Sequence, residues 1–406
     1  MKILLLSPWF PWPPYDGARI RIFETLRYLA RQHQVTLLAN VAHPDEAHQA
    51  VGLKDYCERV ETTVLSYDAR QVLQRLAKGV MLGVPLVQSA YYDAKLATRV
   101  RALTEQTHYD IVQIELSYAA RYVRAISPQC HAKRVLSMHN VESIRYERES
   151  RLALRNDRRL ATQWDRLFFR TWEEKTVRQF DGVVTVSDLE RGWVQRHAPQ
   201  AKTALVANGV DTEYFSSPGR AYAPKQWPAI VFTGAMHYPP NVDAVIWFCE
   251  AMLPLLRRQI PQLTFMIVGR NPTPKVCELG QQPGVVVTGE VEDIRPYITE
   301  ALAFVVPLRA GGGTRLKILH AMAMQCPVIS TRLGAEGLDI TPGENILLAE
   351  DARQFVQHVQ TLYASPETAK RLGHAGRRLV TEKYDWRLCL GGLVELYSTL
   401  WRGETT

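Results

Sequence analysis

Cysteine is scarce and scattered. The 406 residues include 6, at Cys57, Cys130, Cys249, Cys277, Cys326 and Cys389, with no C-x-x-C pair. That spacing argues against a disulfide framework or a thiolate metal site, and the thiols read as reduced groups of a cytosolic protein. Long apolar runs are missing as well. No stretch reaches eighteen residues, and the N-terminal ILLLS is stopped by Pro8, so neither a signal peptide nor a spanning helix is expected. There is no low-complexity tract, no short-period repeat and no D-x-D motif, so no metal site is expected. Acid is outweighed by base: 49 Lys and Arg against 41 Asp and Glu give a net charge of +8 and a pI near 9.1, which favours anionic partners without choosing among them.

The length exceeds one ordinary core, so two domains are expected. Apolar strand-like segments at 2–7, 34–40, 109–115, 133–138, 182–187 and 203–208 alternate with helical stretches. This is the pattern of a doubly wound parallel sheet. A turn-rich segment, 212–228, carries Pro218, Pro224 and Pro228 and reads as a linker. A second α/β half follows over 229–385, with strands at 229–234, 263–269, 285–289, 303–307, 327–332 and 346–349. The first domain is placed at 1–211, rejoined by a C-terminal helix over 386–402.

The stretch AFVVPLRAGGGTRLKILHAMAMQCPVISTRLGAEGL holds the clearest chemistry. It predicts a strand, a glycine turn (Gly311, Gly312, Gly313) and a helix opening near Thr314. Free N–H groups and the positive end of the macrodipole make such a helix start an anion seat. Arg315 and Lys317 oppose that dipole unless an anion is bound. In the first half, the loop PWFPWPPYDGA lies at the carboxyl end of the first strand, where open α/β sheets bind ligands, and Gly17 permits close backbone approach. Glu142 to Gln179 contains no Pro or Gly and reads as one or two helices. Arg151, Arg155, Arg159, Arg166 and Arg170 fall on one side and Leu160, Trp164 and Leu167 on the other. Either this is a solvated basic face or it is a platform for an anionic lipid surface or phosphate-bearing acceptor. Nucleic acid is not expected, because no stacking aromatics interleave the arginines.

Taken in order, PPYDGAR, SMHNVES, FDGVVTVSDLER, NGVDTEYF, FTGAMHYPPNVDA and the GGGTRLK segment resemble GT-B glycosyltransferases, and more narrowly glycosyltransferase family 4. The resemblance implies two Rossmann-like domains facing across a cleft, a nucleotide-sugar donor and retaining transfer with no cofactor. A glycan, lipid-linked or small-molecule acceptor is expected, and the arginine-bearing helix suggests envelope or exopolysaccharide assembly, with the enzyme in the cytoplasm or at the inner face of the membrane. The resemblance places Gly17 and Ala18 beside the donor diphosphate, His139 facing the transferred sugar, and Arg315 and Lys317 on the phosphates. Gly234, His237, Gly312, Gly313, Thr314 and His320 fall in the donor loops. Two departures stand out. The loop after FTG has His237 but no Arg or Lys. The family's two glutamates, seven residues apart, are missing: the first position falls on Gly311 or Gly312 and the second on His320. Glu336 and Glu344 are the candidates to restore a carboxylate near the sugar. A nucleotide-sugar epimerase and a non-catalytic binding subunit remain the alternatives.

Overall fold

A computed structural model describes residues 1–150, 156–217, 220–222 and 228–402. The chain divides into two compact units, Met1–Ala207 with Leu390–Thr406, and Asn208–Cys389. Each is built on a parallel sheet.

In the first unit, among the described residues, the sheet order is β3-β2-β1-β4-β5-β6-β7. The strands are β1 (Lys2–Ser7), β2 (Gln34–Val41), β3 (Arg59–Val64), β4 (Ile111–Glu115), β5 (Lys133–Ser137), β6 (Gly182–Thr185) and β7 (Lys202–Leu205). Ile3, Leu4, Leu5 and Leu6 are all fully buried, as expected of a central strand covered on both faces, which reads as an unbroken apolar run. β3 was not foreseen. Its sequence RVETTV is half polar and its residues are only partly buried, so it carries the signal of an edge strand. The helix Gly17–Leu29 begins inside the PWFPWPPYDGA segment, because the Asp16 carboxylate caps it by accepting from Arg19 N–H at 3.0 Å.

The second unit has the order β10-β9-β8-β11-β12-β13, with β8 (Ala229–Thr233), β9 (Thr264–Val268), β10 (Val285–Gly289), β11 (Ala303–Val306), β12 (Val328–Ser330) and β13 (Leu347–Leu348). Its core carries Phe232, Phe248, Phe265, Phe304 and Phe355, all fully buried. In both sheets the order reverses beside the first strand of the unit, between β1 and β4 and between β8 and β11. Those reversals open a crevice at the strands' carboxyl ends.

Three expectations are corrected. The segment 212–228 is no free linker where it is described, since it is built into the second unit. The Arg220 guanidinium is buried and donates to the carbonyl oxygens of Ile298, at 2.7 Å, and Ala301, while Thr212 donates to Asp385 at 2.6 Å. Proline and polar content suggested a tether, but the buried carbonyls of Ile298 and Ala301 take their donors from Arg220, which ties it into the second unit.

The C-terminal helix does not start at 386. Trp386–Cys389 is a separate turn held to the second unit through Trp386 N–H to Val210 O, and the helix that belongs to the first unit is Gly391–Arg402. It buries Leu393, Leu396, Tyr397 and Leu400.

The arginine-bearing segment forms two helices, Glu142–Ser150 and Asn156–Val177. The second buries Asp165, Phe169, Glu173 and Val177 at four-residue spacing; of the predicted apolar stripe, Trp164 is half-buried and donates to Val84 O at 3.1 Å, and the side chain of Leu160 lies outside the described residues. Leu167 is 65% exposed. Two carboxylates could take the inward face because neighbouring backbone satisfies them. Asp165 accepts from Leu86 N–H, and Glu173 accepts from Glu142 N–H at 2.9 Å and Ser143 N–H at 3.1 Å. Burial lifts their pKa values to about 6 and about 7.

Candidate functional site

In the second unit, the loops after β8 and β11 flank the sheet reversal and bring the predicted donor residues together. Gly311 and Gly313 hold φ values of +116° and +68°, which only glycine adopts without strain. They turn the chain from β11 into the helix Leu316–Ala323. Arg315 occupies the cap position, one residue before the helix proper, and curls back so that Nη1 donates to the carbonyls of Gly313, at 2.6 Å, and Gly312. Thr314 is buried, its carbonyl bound by Asn208 Nδ2 at 3.3 Å.

Lys317 points under the loop. Its Nζ donates to Asn241 Oδ1 at 3.0 Å and lies 3.8 Å from the centroid of the Phe232 ring of β8. Desolvation, and then the neighbouring Arg315 charge, hold its pKa well below the lysine range. No described carboxylate offsets this. Gly234 makes room for the arrangement: a Cβ there would lie 2.7 Å from Asn241 Nδ2 and 2.9 Å from Lys317 Nζ. Asn241 in turn is pinned by donating to Ala235 O at 3.0 Å.

His320 is buried and stacked on Phe215, centroids 4.1 Å apart and rings 8° from parallel. Desolvation, with Lys317 nearby, lowers its pKa to about 4, so it is neutral at pH 7. His237 sits exposed on the turn after β8. Glu336 lies half-buried in the turn after β12, and Thr331 ties that turn to the post-β11 loop by donating to Leu308 O at 2.6 Å. Glu344 is exposed in the turn before Ile346. Among the described residues no group of three or more His, Cys, Asp or Glu is placed to hold a metal ion.

In the first unit the reversal between β1 and β4 gathers a different set. Gly17 and Ala18 occupy the first turn of the Asp16-capped helix. His139, just past β5, is 8% exposed, and its Nε2 lies 2.8 Å from Glu115 Oε2 at the end of β4. Behind them Gln113 Nε2 donates to Glu115 Oε1 at 2.5 Å and Tyr397 Oη donates to Gln113 Oε1 at 2.5 Å. Burial alone would raise the Glu115 pKa, but the His139 hydrogen bond and charge and the Arg21 charge bring it below the usual range. Burial lowers His139 despite Glu115. The resulting state is a Glu115 carboxylate accepting from a neutral His139 Nε2–H, which leaves Nδ1 as an acceptor.

The sequence reading sets Arg19 and Arg21 beside the loop but missed Glu115, Gln113 and Tyr397. Glu115 is the one carboxylate in the apolar strand IVQIE, and Arg21 is a fully buried cation in helix Gly17–Leu29. Charge inside an apolar element was the available signal. Of the arginine face, Arg151 and Arg155 lie outside the described residues, as does the side chain of Arg159. Arg166 and Arg170 are exposed, and Arg170 pairs with Glu174 at 3.2 Å.

Residues 15–214 match the model for Glycosyltransferase Family 4 and residues 227–365 that for Glycosyl transferases group 1. The chain is 23% identical, over 95% of its length and 96% of the relative's, to an uncharacterised 44.6 kDa protein in the cps region of Klebsiella pneumoniae. In fold it is similar to sucrose-phosphate synthase from Thermosynechococcus elongatus, with TM-score 0.73, 19% identity, and 99% and 100% of the two chains covered. HepE of Anabaena, solved with UDP and glucose, superposes with TM-score 0.68 at 16% identity, covering 98% and 100%.

Proposed function

Because this chain is a GT-B glycosyltransferase of the family 4 and group 1 type, we propose that it moves a hexose-type sugar from a nucleoside diphosphate to a hydroxyl of a growing polysaccharide. The observation that carries the donor assignment is Lys317, a desolvated lysine beside Arg315 with no described carboxylate facing it, at the opening of a helix that starts on glycines. A cation held this way is costly until an anion arrives. A diphosphate supplies the charge, and the helix N–H groups supply the donors. The UDP bound by Anabaena HepE and the capsule-region relative support the nucleotide and the polysaccharide.

In the transfer, the bond between the anomeric carbon and the diphosphate oxygen breaks while the acceptor oxygen bonds to the same carbon. Negative charge collects on the departing diphosphate, where Lys317, Arg315 and the helix N-terminus meet it. The acceptor hydroxyl's proton passes to the leaving phosphate oxygen, on the same face of the sugar, and the configuration is retained. In the first unit, His139, neutral and oriented by Glu115, offers Nδ1 as an acceptor for a substrate hydroxyl.

Incubation with radiolabelled UDP- and GDP-hexoses and a lipid or oligosaccharide extract tests the reading. Labelled polymer or lipid and one equivalent of nucleoside diphosphate are expected. An epimerised nucleotide sugar with no diphosphate released would overturn it.

A further inference from the structure

His139 lies on the short crossing from β5 to the helix Glu142–Ser150. Val141 stands directly before that helix, where a Ser, Thr, Asp or Asn would usually take the first N–H groups. Two carboxylates from other elements of the first unit do so instead. Glu173, on the Asn156–Val177 helix, accepts from Glu142 N–H at 2.9 Å, Ser143 N–H at 3.1 Å and Ser143 Oγ–H at 2.9 Å. Glu190, on the helix Asp188–His197, accepts from Val186 N–H at 3.1 Å and also from Val141 N–H. The successive amides 141 to 143 are thus all held by buried carboxylates. At the other end of the crossing, Met138 N–H donates to Val184 O at 2.8 Å, and Ser117 Oγ donates to Asn140 O at 3.3 Å.

Burying two carboxylates is costly. Burial raises both from 4.5 to about 7; the Glu142 charge adds to this at Glu173, and the Arg21 charge opposes it at Glu190. A serine at position 141 would cap the helix without that cost. What the buried pair adds is a fixed placement of the crossing against two further helices, and with it the position of His139 relative to Glu115.

We propose that Glu173 and Glu190 are positioning residues, which clamp the segment 139–143 so that the His139 ring meets Glu115 and turns Nδ1 toward the substrate. An ionised carboxylate offers only acceptors, whereas a protonated one turns one oxygen into a donor and leaves a backbone N–H without its partner. The clamp therefore closes as pH rises through about 7. The other charged groups around it are committed. Arg145 pairs with Glu142 at 2.5 Å and with Glu149 at 2.9 Å, Asp165 accepts from Leu86 N–H, and His197 lies 3.3 Å from Glu174. Burial keeps the Tyr118 phenol neutral, and Arg21 faces Glu115, His139 and Glu190 alike. The consequence for transfer rests on the glycosyltransferase reading; the clamp itself does not.

Hydrogen exchange, NMR of carbon-13-labelled histidine and transfer kinetics on the full chain test it. Glu173→Gln, alone and with Glu190→Gln, keeps the side-chain shape but cannot ionise. Each variant should exchange the 139–143 amides about tenfold or more faster, the worth of a hydrogen bond to a charged group, with the rest of the chain unchanged. In the wild type the His139 Cε1 signal, identified by its loss in His139→Gln, should shift with a midpoint near 7, although His139 itself titrates below 6.5. Over the same interval kcat should rise by about tenfold with KM little changed, and the double variant should show neither step. Stability runs the other way. The two folded-state pKa values are raised, so their contribution is full below 4.5 and is lost as pH rises through about 7. The melting temperature of the wild type should therefore fall relative to the double variant while kcat climbs, whereas a purely structural role would move both together. Unchanged exchange at 139–143 in both variants, or a uniform loss of protection along the chain, would overturn the proposal. A wild type without transfer activity would count against the sugar-transfer reading alone, because exchange and the His139 signal decide the clamp.

Discussion

Lys317 sets the pH behaviour of the donor site. Its folded pKa is depressed, so between that value and the unfolded lysine value the unfolded chain binds the extra proton. Stability should therefore rise with pH across that window. Diphosphate binding works the other way, since an anion restores the ammonium and draws a proton into the complex. Affinity should fall as pH rises through the free-state pKa, which calorimetry in buffers of differing ionisation enthalpy would register as proton uptake; zero uptake would mean that Lys317 is already charged. His320 has its own signature. Its pKa of about 4, against 6.5 for a free imidazole, means that stability is lost as pH falls from about 6.5 to about 4, by on the order of 3 kcal/mol. Its ring stacks on Phe215, a contact that a glutamate side chain would not make. His320→Phe should keep the stack and the fold, whereas His320→Ala should cost about 0.5–1.5 kcal/mol in thermal unfolding. If His320→Phe leaves UDP or GDP binding intact, the ring packs and does not ligate the ribose; a loss of binding would restore the hydrogen-bonding role.

Elements position these residues, and glycine decides how closely they meet. Gly234→Ala must displace either Asn241 or Lys317, so it should weaken diphosphate binding by about 10–100-fold, the worth of a hydrogen bond to a charged group, with only a modest fall in melting temperature. A large fall with binding retained in the folded fraction would make Gly234 a folding residue alone. In the first unit the chain Tyr397, Gln113, Glu115 and His139 runs from the last helix to the crevice. Glu115→Gln removes the carboxylate that fixes the His139 tautomer, and kcat should drop by about 10–100-fold with KM little changed. The glycine turn was legible because Gly311 to Gly313, Arg315 and Lys317 crowd one helix start. This relay was not, because its members come from β4, from past β5 and from the final helix, and no local pattern joins them. Nor did the sequence period disclose the buried Asp165 and Glu173 of the Asn156–Val177 helix, or the exposure of Leu167.

At the scale of the molecule, the two parallel sheets were readable from apolar runs separated by helical spans, since strands covered on both faces leave no polar alternation to confuse. The edge strand β3 escaped for the opposite reason. The segment 212–228 misled because proline and serine content reports on backbone shape, whereas Thr212 and Arg220 are bonded into the second unit by side-chain contacts that composition does not disclose. The chain's end matters to its beginning: Gly182 is packed so closely that its Cβ would lie 2.8 Å from Leu400. Deleting 391–406 should unfold the first unit and leave the second still able to bind nucleotide. Titration of UDP and GDP into wild type and the Lys317→Ala and Arg315→Ala variants tests the central claim most directly. One nucleoside diphosphate should bind the wild type, and each variant should bind it about 10–100-fold more weakly and transfer sugar about 10²–10³-fold more slowly. Equal affinity and equal turnover in all three proteins would contradict the account.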